Sequence, residues 1–426
     1  MGLISPLGNT LGELWEALSS GRSGVERLSA IPPDHLPSPY GAEARQFTGD
    51  VGDFGSLDGN LKKAVRKGLK VMCRECQMGV AAAMRALADA GLAAGGLEPE
   101  RSGIVFGSDY MLSEPQEFSS GMDLCAGPER RFDFSRWGGE GMRQMSPLWL
   151  LKYLPNMPAC HIAIYHDLRG PNNSITHREA SANLAVAEAV RTIQRGAADV
   201  MLAGATGTRV HVMKALHASQ QEELAAPGSE PAQASRPFDQ ARTGMVLGEG
   251  AGVIVLEELE AARARGATIY AEVIGGGSSS VAARHTVAHR GRALENAARR
   301  ALSEAGIPAD QLGHIHAHGL STRTSDREEA QALRAVLGEA ADRIPLTAAK
   351  SYFGNLGAGS AAVELIASVL ALRDGRLFPL LNYDTPDPDC PIFAARDGQT
   401  PAGESFLTLS VTPQGQASCV VVRRAE

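Results

Sequence analysis

Helical and strand patterns of apolar positions alternate along the whole chain. Small and apolar residues recur at helical spacing from Met72 to Leu92, and Gly91 closes that pattern ahead of the short apolar run Gly103-Ile-Val-Phe-Gly107. A second helix is predicted from Ala180 to Gly196, followed by the strand Asp199-Val-Met-Leu-Ala203. The strand Gly252-Val-Ile-Val-Leu256 comes next, and a helix begins over Leu259 to Arg265. The remainder repeats the plan: a glycine-closed helix from Arg292 to Gly306, a short strand His314-Ile-His-Ala-His318, a helix of small residues from Ala361 to Leu372, and a closing strand from Ser418 to Arg423. Such alternation predicts an α/β fold. Glu222 to Arg236, rich in Ala, Pro, Gly and Ser, reads as a surface loop, and no repeat of 20–50 residues is present.

Length and charge narrow the classes. With 426 residues the chain has enough material for two core-bearing halves. Its 44% hydrophobic and 21% charged residues are ordinary for a globular protein, and a net charge of −7 argues against a general nucleic-acid or anionic-membrane binder. No apolar run approaches the ~20 residues of a membrane span, and the N-terminus lacks a secretory pattern, so the expected location is cytoplasmic. The six cysteines are too scattered for a disulfide framework. Cys73 and Cys76 form a CxxC inside a helical pattern with no second pair; helix packing is the ordinary reading, and no metal site is expected.

Seven segments, in order, carry a resemblance to a known family: Gly2-Leu-Ile-Ser-Pro-Leu-Gly-Asn9, Leu168-Arg-Gly-Pro171, Ala198-Asp-Val-Met-Leu-Ala-Gly204, Arg236-Pro-Phe-Asp239, Gly248-Glu-Gly-Ala-Gly252, His316-Ala-His-Gly319 and Lys350-Ser-Tyr-Phe-Gly354. They resemble the elongating β-ketoacyl-(acyl carrier protein) synthases of fatty acid and polyketide pathways. The resemblance implies a thiolase-like fold, with two pseudo-duplicated halves (residues 1–258 and 259–426) around a five-layered αβαβα core, normally dimeric. It also implies a strand ahead of Gly2, which this sequence does not supply.

The same resemblance specifies the chemistry to look for. A condensing enzyme of this family needs a cysteine thiolate to carry the acyl chain, two histidines, an oxyanion hole and hydroxyls for the phosphopantetheine arm. Glu179 stands where the family has cysteine, and a carboxylate does not hold an acyl group as a thioester. His318 matches the first histidine, Asn355 the second. Asparagine donates a hydrogen bond but carries no positive charge. Of the pantetheine-contacting threonines, Leu320 replaces one and Thr322 remains. In the glycine-rich gate, Pro413 falls where a residue should offer its N–H to the oxyanion hole, and Gln414 follows. Lys350 and Glu364 keep the spacing of an ion pair beneath the pocket, and Asp326 and Glu329 keep theirs as supporting residues. His177, His314 and His316 have no family role and read as structural.

Lys62, Arg66, Lys70 and Arg74 recur every fourth residue, with Lys63 and Lys67 broadening the stripe. This basic face is either solvated surface or a docking site for an acidic acyl carrier protein. Three functions follow. The leading one is a chain-length-factor-like subunit, a pseudoenzyme pairing with an active ketosynthase or with itself, in which the bulky Ser108-Asp-Tyr-Met-Leu112 shapes a tunnel near the dimer axis. The others are a malonyl-carrier decarboxylase and an altered enzyme using Glu179 and His318 as acid and base on a carrier-bound thioester. No permanent cofactor is expected; the phosphopantetheine arm is a visiting group.

Overall fold

A computed structural model describes residues 1–93, 95–127, 129–228, 230–282 and 288–425. Strands β1 (Gly2–Ile4), β2 (Glu26–Arg27), β3 (Tyr40–Ala42), β4 (Ser102–Gly107), β5 (Asn172–Ile175), β6 (Val200–Thr208) and β7 (Leu247–Glu257) form one sheet. Its order is β2-β3-β7-β6-β4-β5, with β1 paired to β7. Strands β8 (Ala271–Ser280), β9 (His314–His316), β10 (Leu346–Thr347), β11 (Ser405–Val411) and β12 (Gln416–Arg424) form the second, in the order β10-β9-β11-β12-β8. The helices Ser181–Gln194 and Ser360–Asp374 lie between the sheets; Arg74–Asp89 covers the outer face of the first sheet, and Arg290–Ala305 covers that of the second. The layers are therefore αβαβα, the thiolase-like arrangement.

Burial explains why the central strands are apolar on both faces. All six residues of β4 and all nine of β6 are buried, because helices cover each side. The Ser360–Asp374 helix is buried from Ser360 through Leu372, so its small residues face neighbours all round. Glycines set the spacing here. A Cβ on Gly252 would stand 2.9 Å from the Ala362 Cβ, one on Gly207 2.5 Å from the Leu356 carbonyl oxygen, and one on Gly359 2.1 Å from the Gly250 oxygen. No helix among the described residues is long and apolar enough to cross a membrane.

Gly2–Ile4 pairs antiparallel with Ala251–Val253. Two expectations need correction. The helix expected from Met72 begins at Arg74, with Cys73 as its N-cap, so the CxxC lies at the helix start instead of within it. The basic stripe is broken by the same boundary. Lys62, Lys63, Arg66 and Lys67 lie on a separate helix, Gly59–Gly68, and Lys70 on the following single turn. Arg74 faces elsewhere, donating to Glu249 at 2.6 Å and to the Phe47 and Ala44 carbonyls.

The buried histidines of β9 form a chain whose proton positions are fixed by their partners. The Ala349 N–H donates to His316 Nε2, so His316 Nδ1 carries the proton and donates to Ser368 Oγ at 2.7 Å. The Ser368 hydroxyl then donates to His314 Nε2 at 3.0 Å, and His314 Nδ1 donates to the Ala402 carbonyl at 2.7 Å. Burial holds the His314 pKa down at about 4. An imidazole depressed in the folded state contributes stability that is present above the unfolded pKa of ~6.5 and is lost as pH falls towards 4. We expect the His314 ring to stay neutral at pH 5.5 in a ring-proton NMR titration, and Ser368→Ala to cost about 1–3 kcal/mol in denaturant unfolding through two stranded ring nitrogens. A His314 titration midpoint near 6.5 contradicts this chain.

Candidate active site

The site forms where the ends of β4 and β6 meet the single turn Arg178–Ala180 that opens the Ser181–Gln194 helix. Ser410 and Ser418, from β11 and β12, anchor this turn by donating to the carbonyls of Glu179 and Ala180 at 2.7 and 2.8 Å. Arg178 adopts a left-handed conformation, φ 52°, which a non-glycine residue holds only when its surroundings enforce it. Here its guanidinium donates to Gln221 at 2.7 Å and to Gln414 at 3.0 Å, and lies over the Tyr110 ring.

Glu179 is 2% exposed and lies in a network of charges. Its Oε1 accepts from Arg209 at 2.5 Å and from Asn355 Nδ2 at 3.1 Å, while Arg178 stands 3.8 Å from Oε2. Arg209, at the end of β6 and 1% exposed, also binds Asp109 at 2.8 Å. Burial alone pushes the Glu179 carboxyl up, but Arg209 first, and then Arg178 and the Asn355 hydrogen bond, hold it well below the usual carboxylate range. Glu179 is therefore a carboxylate at every physiological pH.

The second half of the chain supplies the opposite wall. Asn355 is fixed from behind, its Oδ1 accepting from the Gly357 N–H at 2.9 Å and from Ser360 Oγ at 3.2 Å. Lys350 donates to Glu364 at 2.5 Å and approaches His318 Nδ1 at 3.4 Å. Burial, reinforced by Lys350, pushes His318 well below an ordinary imidazole pKa. Its ring is neutral, with Nδ1 turned to the lysine ammonium and the proton on Nε2. The cavity left between Glu179, Arg178, His318, Leu320, Asn355 and Pro413 measures about 10 Å³, room for no more than one water.

Other expected residues lie around this centre without facing it. Glu329 accepts from the N–H groups of His318 and Gly319 at 2.6 and 2.8 Å, and burial raises its pKa to about 8. Asp326 accepts from Phe238 and Ser321, and burial raises it to about 6. Both act on the backbone of the loop that carries His318. Thr322, expected to meet pantetheine, is buried and N-caps the Arg323–Leu337 helix, accepting from the Ser325 N–H. Pro413 and Gln414 occupy the turn between β11 and β12; Pro413 lines the cavity and Gln414 binds Arg178 through its side chain. Lys62, Lys63, Arg66, Lys67 and Lys70 are exposed and form no ion pair among the described residues.

Sequence reasoning missed Arg209, which holds the site together. The signal was present: an arginine immediately after a fully buried strand of small residues has to find buried anions. Asp109, expected to shape a tunnel at a dimer axis, is one of those anions. Glu222, expected in a surface loop, lines the cavity mouth, pairs with Arg290 at 2.8 Å and is raised by burial to about 7.

Residues 1–262 match the family model for the N-terminal domain of β-ketoacyl synthases, and residues 270–384 match that for the C-terminal domain. The chain belongs to the β-ketoacyl synthase family. It is 32% identical over 391 residues to a 3-oxoacyl-[acyl-carrier-protein] synthase 2 of Synechocystis, covering 92% of this chain and 88% of that one. A synthase of the same name from Staphylococcus aureus is 31% identical over 391 residues, covering 92% of this chain and 91% of its own. A β-ketoacyl synthase structure from Burkholderia phymatum superposes with a TM-score of 0.83 at 28% identity, covering 100% of this chain and 98% of that one. The ishigamide ketosynthase/chain length factor superposes at 0.82 with 26% identity, and so does a type II polyketide ketosynthase in complex with its acyl carrier protein; each covers 100% of this chain and 98% of its own.

Within this ketosynthase fold the Arg209 cation neutralises two buried carboxylates at once. Replacing it with leucine is expected to lower stability by about 3–5 kcal/mol, because Glu179 and Asp109 would each lose their closest cation. Chemical denaturation of Arg209→Leu reads this directly; a variant as stable as the parent would mean the network contributes little.

Proposed function

We propose that this chain is a non-condensing ketosynthase-family subunit that works beside an active ketosynthase, in the manner of a chain length factor. The observation that carries this reading is the locked state of Glu179, the residue matching the family's cysteine. Its carboxylate is bound by Arg209 and Asn355, and about 10 Å³ of free volume remains beside it. An acyl thioester has neither a nucleophile there nor room to approach one. Pro413, lacking an N–H, and Asn355, lacking a charge, point the same way.

The two enzymatic alternatives lose support from the same geometry. General acid–base work near neutrality needs groups poised near pH 7. Glu179 is held far below that as a carboxylate, and His318 far below it as a neutral ring, so no proton is shared between them. Decarboxylation of a malonyl group would bring a second carboxylate towards an ionised Glu179 in a cavity of only about 10 Å³.

Two surfaces support a role among partners. Strand β5 is an edge of the first sheet, and the segment between β4 and β5 carries exposed apolar residues: Met122, Phe134, Leu148, Leu150 and Ile164, with Phe134 76% and Ile164 73% exposed. Exposed large apolar side chains gathered in one segment of chain suit an interface. The exposed cations Lys62, Lys63, Arg66, Lys67 and Lys70 offer a face of the charge that an acidic carrier protein needs.

Co-expression with a ketosynthase encoded near it tests the reading. We expect a stable complex, and condensing activity that requires both chains but survives Glu179→Gln in this one. A folded chain that binds no synthase, or that alone condenses acyl- and malonyl-carrier protein, removes it. Glu179→Cys alone is expected to acquire no acyl group from acyl-carrier protein by intact-protein mass spectrometry. Reversing Lys63 and Arg66 to glutamate is expected to weaken carrier association about tenfold at low salt, with the difference closing as salt rises; equal binding by parent and variant places docking elsewhere.

A further inference from the structure

The CxxC motif has a geometry unrelated to the site described above. Cys73 is the N-cap of the Arg74–Asp89 helix and Cys76 lies in its first turn, which brings the two sulfurs to 3.6 Å. Cys73 is half-buried and therefore reachable, while Cys76 is fully buried behind it. The Met111 sulfur stands 3.7 Å from Cys73, so that thiol contacts two other sulfur atoms. No other cysteine among the described residues has a second thiol within bonding range: Cys125, Cys390 and Cys419 are buried singly, and Cys160 contacts Asn156.

We propose that Cys73 and Cys76 form a reversible intramolecular disulfide, closed by exchange with a low-molecular-weight disulfide such as oxidised glutathione. The Cys73 thiolate attacks one sulfur of the incoming disulfide, expelling one thiolate and leaving a mixed disulfide on Cys73. Cys76 then gives up its proton and attacks the Cys73 sulfur, expelling the second thiolate. Two protein S–H groups are oxidised, one S–S bond is reduced to two small thiols, and the protons lost by the cysteines are gained by the leaving groups. The sulfurs need to close from 3.6 Å to ~2.05 Å, a shift that side-chain rotation at a helix start accommodates.

The surroundings favour the closed form once it is made. The neighbouring Cys73 thiol, burial and the Glu75 carboxylate push the Cys76 thiol well up, so a thiolate there is poorly stabilised. A dithiol whose reduced state lacks thiolate stabilisation gives a disulfide that resists reduction. Glu75, between the two cysteines, binds the buried Lys214 through its side chain and accepts from Thr206 through its carbonyl. Closure would tie the segment that holds those two contacts.

The test uses the full chain carrying Cys160→Ser, to remove the other accessible thiol. Native reduced protein is incubated with oxidised glutathione, quenched by alkylation and digested with trypsin, which cuts after Arg74 between the two cysteines. The expected result is intact protein lighter by two hydrogens with no retained glutathione, and two tryptic peptides joined through Cys73 and Cys76 until reduced. Adding Cys76→Ser should instead trap one glutathione on Cys73. Retention of glutathione on Cys73 with Cys76 present, or no loss of free thiols in a chain whose circular dichroism matches the untreated protein, overturns the proposal.

Discussion

Everything at the centre of this molecule depends on one arginine compensating two buried acids. Without Arg209, Glu179 and Asp109 would be anions enclosed in protein, and one or both would have to protonate or drag the turn out towards water. The arginine can play this part because β6 delivers it. Nine buried residues precede it, the last six of them small, so that helices pack on both faces, and the strand ends just where the carboxylates stand. Electrostatics inside the pocket is thus a consequence of sheet packing outside it.

That arrangement ties the cavity walls to one another. Asn355 donates to Glu179, Glu179 accepts from Arg209, and Gln221 and Gln414 accept from Arg178. Ion pairing supplies the rest: Glu179 Oε2, Asp109 Oδ2, Arg178 Nε and Arg209 Nη1 stand among opposite charges but make no hydrogen bond. The Lys350–Glu364 pair and the Glu329 contacts to the His318 loop lie beneath this cavity and hold that loop in place.

The layered fold was legible in the sequence because its strands and helices alternate with ordinary signals; β6 and β7 run longer than expected, β9 ends at His316 instead of His318, and β5, β8 and β11 were not expected. Boundaries failed where a short break interrupts a good helical pattern. The stretch from Lys62 to Arg74 keeps its four-residue spacing across Met72 and Cys73, so spacing alone did not reveal that Arg74 starts a new helix and turns to Glu249. Thr322 has a structural part that spacing did not reveal: a threonine ahead of a helix is a good cap, and its hydroxyl accepts from the Ser325 N–H. Arg209 went unread because its partners, at positions 109 and 179, are remote in sequence and meet only through strand order.

The close approach of glycine-lined strands to the central helix has a mechanical consequence for the polar centre. Gly207, Gly250, Gly252 and Gly359 let backbone touch backbone between the first sheet and the segment running from Leu356 into the Ser360–Asp374 helix. Asn355 begins that segment, and Glu179 hangs from the other half. Their 3.1 Å bond is thus dimensioned by hydrogen atoms several residues away: one added methyl in that seam would wedge the halves apart by a distance comparable to the slack of the bond itself.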